Sequence, residues 1–92
     1  MIRLYSIYDR KAVFYGVPFT AKNDEVMKRM VALSYKDNPF SSDLEVYLFG
    51  VFDEEKGELF SDIHDKFISS VTDILNEYYP PVKLKKKGVK NE

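Results

Sequence analysis

The chain has no cysteine and no tryptophan, a single histidine, and only four glycines among its 92 residues. Without thiols, neither a disulfide nor a thiolate zinc site can staple a chain this short, and the composition fits a reducing compartment. One histidine leaves no room for most acid–base or nucleophile pairs. Asp65 beside His64 makes no dyad on a helix, because adjacent helical side chains point apart. The few glycines are scattered, so no glycine-rich loop cradles a phosphate. No apolar run approaches the roughly 20 residues of a membrane span. The N-terminus lacks the basic segment and long apolar stretch of a signal peptide. These absences predict a soluble, cytoplasmic protein that is not an enzyme, needs no cofactor and has no membrane contact.

What is present is charge, unevenly placed. Residues 83–92, KLKKKGVKNE, hold five of the fourteen basic residues and one of the fifteen acids, a net +4. Residues 1–82 carry a net −5. The reading is one domain, 1–82, followed by a lysine-rich tail, 83–92. A domain of this size buries roughly 60–65% of its unfolded surface, enough for a single two-layer core.

Hydrophobic periodicity supplies the elements. Residues 1–9 alternate as a strand, with Asp9-Arg10-Lys11 as a polar turn that lacks glycine. Residues 12–17 are rich in β-branched and aromatic side chains and read as a second strand, which Pro18 ends or places on an edge. Residues 20–36 read as a helix capped by Asn23 or Asp24, with Val26, Met27, Met30, Val31 and Ser34 on one face. Asp37-Asn38-Pro39 stops it. A third strand starts at Leu44, Gly57 supplies the positive φ of a hairpin loop, and Glu58, Leu59 and Phe60 begin a short fourth. Residues 62–79 read as a second helix, capped by Ser61 or Asp62, with a stripe of Ile63, Phe67, Ile68, Val71, Ile74, Leu75 and Tyr78. The predicted fold is α+β: a four-stranded, mainly antiparallel sheet with two helices in the order ββαββα. Each ββα half repeats the order without obvious repetition of sequence.

The third strand is apolar on both faces. Leu44, Val46, Leu48 and Gly50 fall on one side. Tyr47, Phe49 and Val51 fall on the other, with Glu45 as the polar exception. A second apolar face needs a helix, a second subunit or a stacking ligand. A homodimer, joined by sheet edges or faces around residues 44–52, is the expectation.

Several features together are familiar. The chain opens M-x-x-x-Y-x-I-Y-D-x-K-A, continues through Pro18-Phe19 and Asn23-Asp24, and later shows Asp43-Leu44-Glu45-Val46-Tyr47, Gly50-x-Phe52-Asp53 and Gly57. Over residues 1–60 this resembles the small nonstructural protein of gokushovirus-type microviruses, bacteriophages with circular single-stranded DNA. Residues 61–92 resemble that family less. The resemblance implies a nonstructural phage protein in the bacterial host cytoplasm, acting in viral DNA replication or single-strand synthesis. It transfers no binding residues.

The candidate nucleic-acid ligands therefore come from the residues themselves. Lys83, Lys85, Lys86, Lys87 and Lys90 suit phosphate neutralisation without sequence preference. The competing reading is a solvated terminus. Arg3, Arg10 and Lys11 are secondary phosphate ligands. Tyr5, Tyr15, Tyr47 and Phe49 are placed to share one sheet face, with Tyr5 and Tyr47 the leading stacking platforms, although aromatic rings more often serve a core. The acids from Asp53 to Asp65 around His64 miss the calcium-loop pattern and make no metal site. The alternative to single-stranded DNA binding is a dimeric interaction module whose acidic body engages a host or viral protein.

Overall fold

The computed structural model describes residues 1–61 and 66–81. Two long strands, β1 (Ile2–Asp9) and β4 (Leu44–Asp53), run antiparallel at the centre of a six-stranded sheet. On the outer edge of β1 lie two short strands, β2 (Phe14–Tyr15) and β3 (Phe19–Ala21). On the outer edge of β4 lie β5 (Glu58–Phe60) and β6 (Lys66–Ser70). Helices α1 (Asp24–Tyr35) and α2 (Val71–Tyr78) follow β3 and β6. A short 3-10 turn, Ser41–Asp43, leads into β4.

The α+β class and the two helices hold, but the four-stranded ββαββα order does not. The expected second strand, 12–17, shrinks to two residues. The chain then leaves the ladder at Gly16–Pro18 and re-pairs as β3, where Thr20 sits opposite Leu4. Thr20 is thus strand and not the start of a helix. The helix starts where its cap dictates: the Asn23 side chain accepts from the Val26 amide at 2.9 Å, satisfying one of the unpaired donors of the first turn.

The second expected helix, 62–79, is helical only from Val71. Phe67 pairs with Tyr47 and Lys66 with Leu48 in β6. β-Branched and aromatic residues favour a strand where a neighbour is available, and tertiary pairing overrides a helical stripe. The helix is capped by Ser70, whose hydroxyl accepts from the Asp73 amide at 3.0 Å; Ser61 caps no helix, and Asp62 lies outside the described residues.

Both helices cover the same face of the sheet. Tyr5, Leu44, Val46 and Leu48 from the strands meet Met27, Val31 and Ala32 of α1 and Val71 and Ile74 of α2 in one buried core. Met30, expected in that core, is 38% exposed at its edge. Lys28 reaches Glu77 at 3.6 Å and the Tyr78 hydroxyl donates to the Glu25 carbonyl at 3.3 Å, so polar groups tie the two helices at the surface. β4 alternates buried and half-buried residues from Leu44 to Gly50. Since β4 is hydrogen-bonded on both sides, it offers no free edge to a second copy.

Two turns close the halves with one geometry. In the first, the Asp9 carboxylate accepts from the amides of Lys11 (2.9 Å) and Ala12 (3.0 Å), and the Val13 amide donates to the Asp9 carbonyl (2.8 Å). In the second, the Asp53 carboxylate accepts from Glu55 (3.0 Å) and Lys56 (3.3 Å), and the Gly57 amide donates to the Asp53 carbonyl (2.7 Å). The fifth residue is left-handed in both, with φ 61° at Val13 and 66° at Gly57. Each half is therefore a long strand, an aspartate turn, two short strands on the outer edge and a helix.

Candidate functional site

Among the described residues, five aromatic rings meet on the face opposite the helices. Tyr8 comes from β1, Tyr15 from β2, Tyr47 and Phe49 from β4, and Phe67 from β6. Tyr8 lies 4.6 Å from Tyr15 and 6.2 Å from Tyr47, centroid to centroid. Tyr15 meets Tyr47 at 5.6 Å and Phe49 at 5.0 Å, and Tyr47 meets Phe67 at 5.7 Å. Apart from the tilted Tyr8–Tyr15 pair these contacts are edge-on, the arrangement ring quadrupoles favour. Sheet alternation explains the layer: paired residues on neighbouring strands share a face, and the registers Tyr8 with Tyr15 and Tyr47 with Phe67 align their rings. Ser6, opposite Tyr47 in the β1–β4 ladder, is small enough for rings from β2 and β4 to meet across β1. It is fully buried, and its hydroxyl donates to the Gly16 carbonyl at 2.6 Å.

Tyr47 keeps a polar handle within this layer. Its hydroxyl donates to Glu45 Oε1 at 3.3 Å. Desolvation first, and the Glu45 charge second, raise its pKa. The layer is open to solvent at its margins, where Phe67 is 51% exposed. Base stacking on aromatic rings carries no sequence preference of its own.

The site residues expected from sequence are divided. Tyr47 lies in the ring layer, beside Tyr15 and Phe49. Tyr5 does not: it is fully buried on the helix side, stacked on Phe19 at 5.7 Å, and it is no stacking platform. A register shift between Leu4 and Tyr5 occurs at that point of the β1–β4 ladder. The Tyr5 hydroxyl donates to Asp24 Oδ1 at 2.5 Å, and Arg3 Nε donates to the Tyr5 oxygen at 3.1 Å and to the same carboxylate oxygen at 3.0 Å. Burial, then the bond to Asp24, pushes the Tyr5 pKa up to about 12. This group joins β1 to the first turn of α1, and Arg3 is part of it.

Arg10 stands in the first turn, 3.8 Å from both Asp43 and Glu45, and donates to the Ser42 carbonyl. A phosphate at Arg10 has to compete with two carboxylates. Lys11 is exposed in the same turn. Lys83, Lys85, Lys86, Lys87 and Lys90 lie outside the described residues, as do Asp62, His64 and Asp65. Among the described residues no group of three or more His, Asp or Glu side chains is placed to hold a metal ion, and no helix is long and apolar enough to cross a membrane.

Tyr8 and Phe67 were missed as members of the ring layer. Tyr8 alternates with Tyr5 along β1, so accepting Tyr47 for this face and pairing Tyr8 with Tyr15 through the first hairpin would have found it. Phe67 carried no such signal while its segment read as helix.

Neither a curated protein nor a solved structure matches the chain. A family model described as Phage ORF5 protein does, across residues 2–74. That span runs past residue 60, where the sequence resemblance fades, and takes in all six strands, α1 and the first half of α2. With the match covering the ring layer and both aspartate turns, the chain belongs to the Phage ORF5 protein family.

Proposed function

We propose that this phage protein is a nonstructural accessory of viral DNA replication or single-strand synthesis, of the microvirus type, and that it binds single-stranded DNA weakly and without sequence preference. The observation that carries the reading is the layer of five rings on the helix-free face. Base stacking on aromatic side chains contributes about 1–3 kcal/mol per base and tolerates any sequence. The tail lysines, Lys83, Lys85, Lys86, Lys87 and Lys90, supply the phosphate term. The body, at net −5, repels the same phosphates and holds affinity down.

The test is a titration of a labelled single-stranded oligonucleotide at low and moderate salt. Five single-strand phosphate contacts give a slope of log K against log salt of about −3.5. Replacing the five lysines with glutamine is expected to remove most of the binding and to flatten that slope. Replacing Tyr47 and Phe67 with alanine is expected to weaken binding and leave the slope unchanged, because stacking releases no counterions. Undiminished binding by the glutamine variant would exclude the tail. No binding by the parent protein at low salt would leave the second reading, in which the acidic body engages a host or viral protein. The exposed acids of the second turn, Glu54 and Glu55, favour that alternative.

A further inference from the structure

Residues 12–21, AVFYGVPFTA, form the longest stretch of the chain without a charged residue. They are also among the most exposed: all but Phe19 and Ala21 lie open to solvent. The stretch contains β2, which among the described residues pairs with β1 alone and so forms one edge of the sheet. Soluble proteins usually guard such an edge with charge, especially lysine, or with proline. Pro18 is the sole guard here. The corresponding segment of the other half, 56–61, carries Lys56 and Glu58, and β6 opens with Lys66. The same architecture thus carries charge along one edge and none along the other.

Two further observations mark the uncharged edge. Val13 is held at φ 61° and is 68% exposed, although β-branched residues rarely adopt that conformation. Gly57 fills the same position in the other turn without that strain. Beside β2, two adjoining clefts share Ile7, Gly16 and Tyr35 and run between the edge and α1. Their apolar rim includes Phe14, 59% exposed, and Val17, 88% exposed, with Met30 and Phe40.

We propose that this edge is a homotypic interface, in which two copies of the chain pair antiparallel through residues 12–17 across a twofold axis normal to the sheet. Charge selects the occupant. Residues 12–21 carry no charge, so a second copy laid antiparallel along 12–17 brings no like charges together across the axis. Area sets the strength. At roughly 150–250 Å² per large side chain, the exposed parts of Val13, Phe14, Val17, Met30 and Phe40 amount to on the order of 500 Å². A stable dimer buries about 800 Å² per partner, so these side chains supply most of a standard interface and the dimer is a concentration-dependent one. The axis also sets the two ring layers side by side on one surface. That consequence alone rests on the stacking reading, whereas the dimer does not.

Analytical ultracentrifugation of the full chain without DNA tests the interface, from low to high micromolar concentration. The parent is expected to pass from monomer to dimer. Val17→Lys and Phe14→Lys place like charges across the axis, and each is expected to stay monomeric, with the parent's circular dichroism and melting temperature at low concentration. Leu59→Lys, on the opposite edge, is expected to dimerise as the parent does. A parent that remains monomeric throughout overturns the proposal, as does dissociation caused by Leu59→Lys or dimerisation retained by both edge variants. Since no DNA is present, failure of the stacking reading leaves these outcomes unaffected.

Discussion

The half that ends in α1 and the half that ends in α2 solve the same folding problem with different residues. Each sends a long strand into an aspartate turn, lays two short strands along its outer edge and returns a helix over the same face. The turns match bond for bond, yet one closes on Val13 and the other on Gly57. The first helix runs twelve residues and the second eight. One outer edge is uncharged and the other carries lysine and glutamate. Hydrogen-bond geometry is thus held common to both halves, while side-chain chemistry is free to diverge where the chain meets solvent.

The largest effect should come from asking whether the short helix is an equal partner in the core. Ile74 in α2 and Met27 in α1 are both fully buried. Ile74→Ala and Met27→Ala are each expected to cost about 2–5 kcal/mol, the range for truncating a buried aliphatic side chain, measured by urea denaturation. Comparable losses would establish one core shared by both halves. A loss below about 1 kcal/mol for Ile74→Ala would show that α2 is peripheral and break the comparison.

The next effect belongs to the first half. Tyr5 ties β1 to α1 through Asp24 and Arg3, and its hydroxyl pKa is raised to about 12. The raised value means that folding favours the neutral phenol. The stabilisation is complete below the unfolded value near pH 10 and disappears as pH rises toward 12. Two pKa units correspond to about 2–3 kcal/mol. Tyr5→Phe is expected to cost about 1.5–3 kcal/mol at neutral pH, the range for a hydrogen bond to a charged group. Between pH 10 and 12 the parent is then expected to lose stability faster than Tyr5→Phe. Every other ionisable group is common to both proteins, so the difference between the two curves isolates Tyr5. Parallel curves would refute the assignment.

Local chemistry was legible in the sequence; pairing between distant segments was not. Asn23 reads as a cap because its side chain and the amide it serves are three residues apart. Gly57 reads as a positive-φ position because the loop around it is short and polar. β6 was hidden because Phe67, Ile68 and Val71 fit a helical stripe as well as a strand, and only the presence of Tyr47 as a partner decides between them. Tyr5 and Tyr47 were placed together because each lies on a strand, but the side each ring takes depends on the β1–β4 register, with its shift at Leu4–Tyr5. Met30 satisfied the helix periodicity and still fell at the edge, since the width of the buried stripe is set by what packs against it. The ring layer was therefore half visible, through Tyr15, Tyr47 and Phe49, and was completed only by the fold. The tail lysines were legible as charge alone.

The smallest effect is the most direct comparison of the two halves, because it exchanges the residues at which the twin turns differ. Gly57 has open space around the position of a Cβ, so the cost of Gly57→Val is set chiefly by the backbone conformation. A side chain in the left-handed region costs about 1–2 kcal/mol. Gly57→Val is expected to destabilise by about that amount. Val13→Gly relieves the same strain but gives the unfolded chain more freedom, which returns up to about 1 kcal/mol. A net gain of a few tenths to about 1 kcal/mol is therefore expected. The measurement is a pair of urea curves at low protein concentration, where association does not contribute. Opposite signs for the two substitutions would establish that the turns are energetically equivalent and that the first carries its strain in exchange for an exposed apolar side chain. A loss of stability in Val13→Gly would mean that the valine side chain stabilises its own turn, and the strain would then say nothing about the edge it borders.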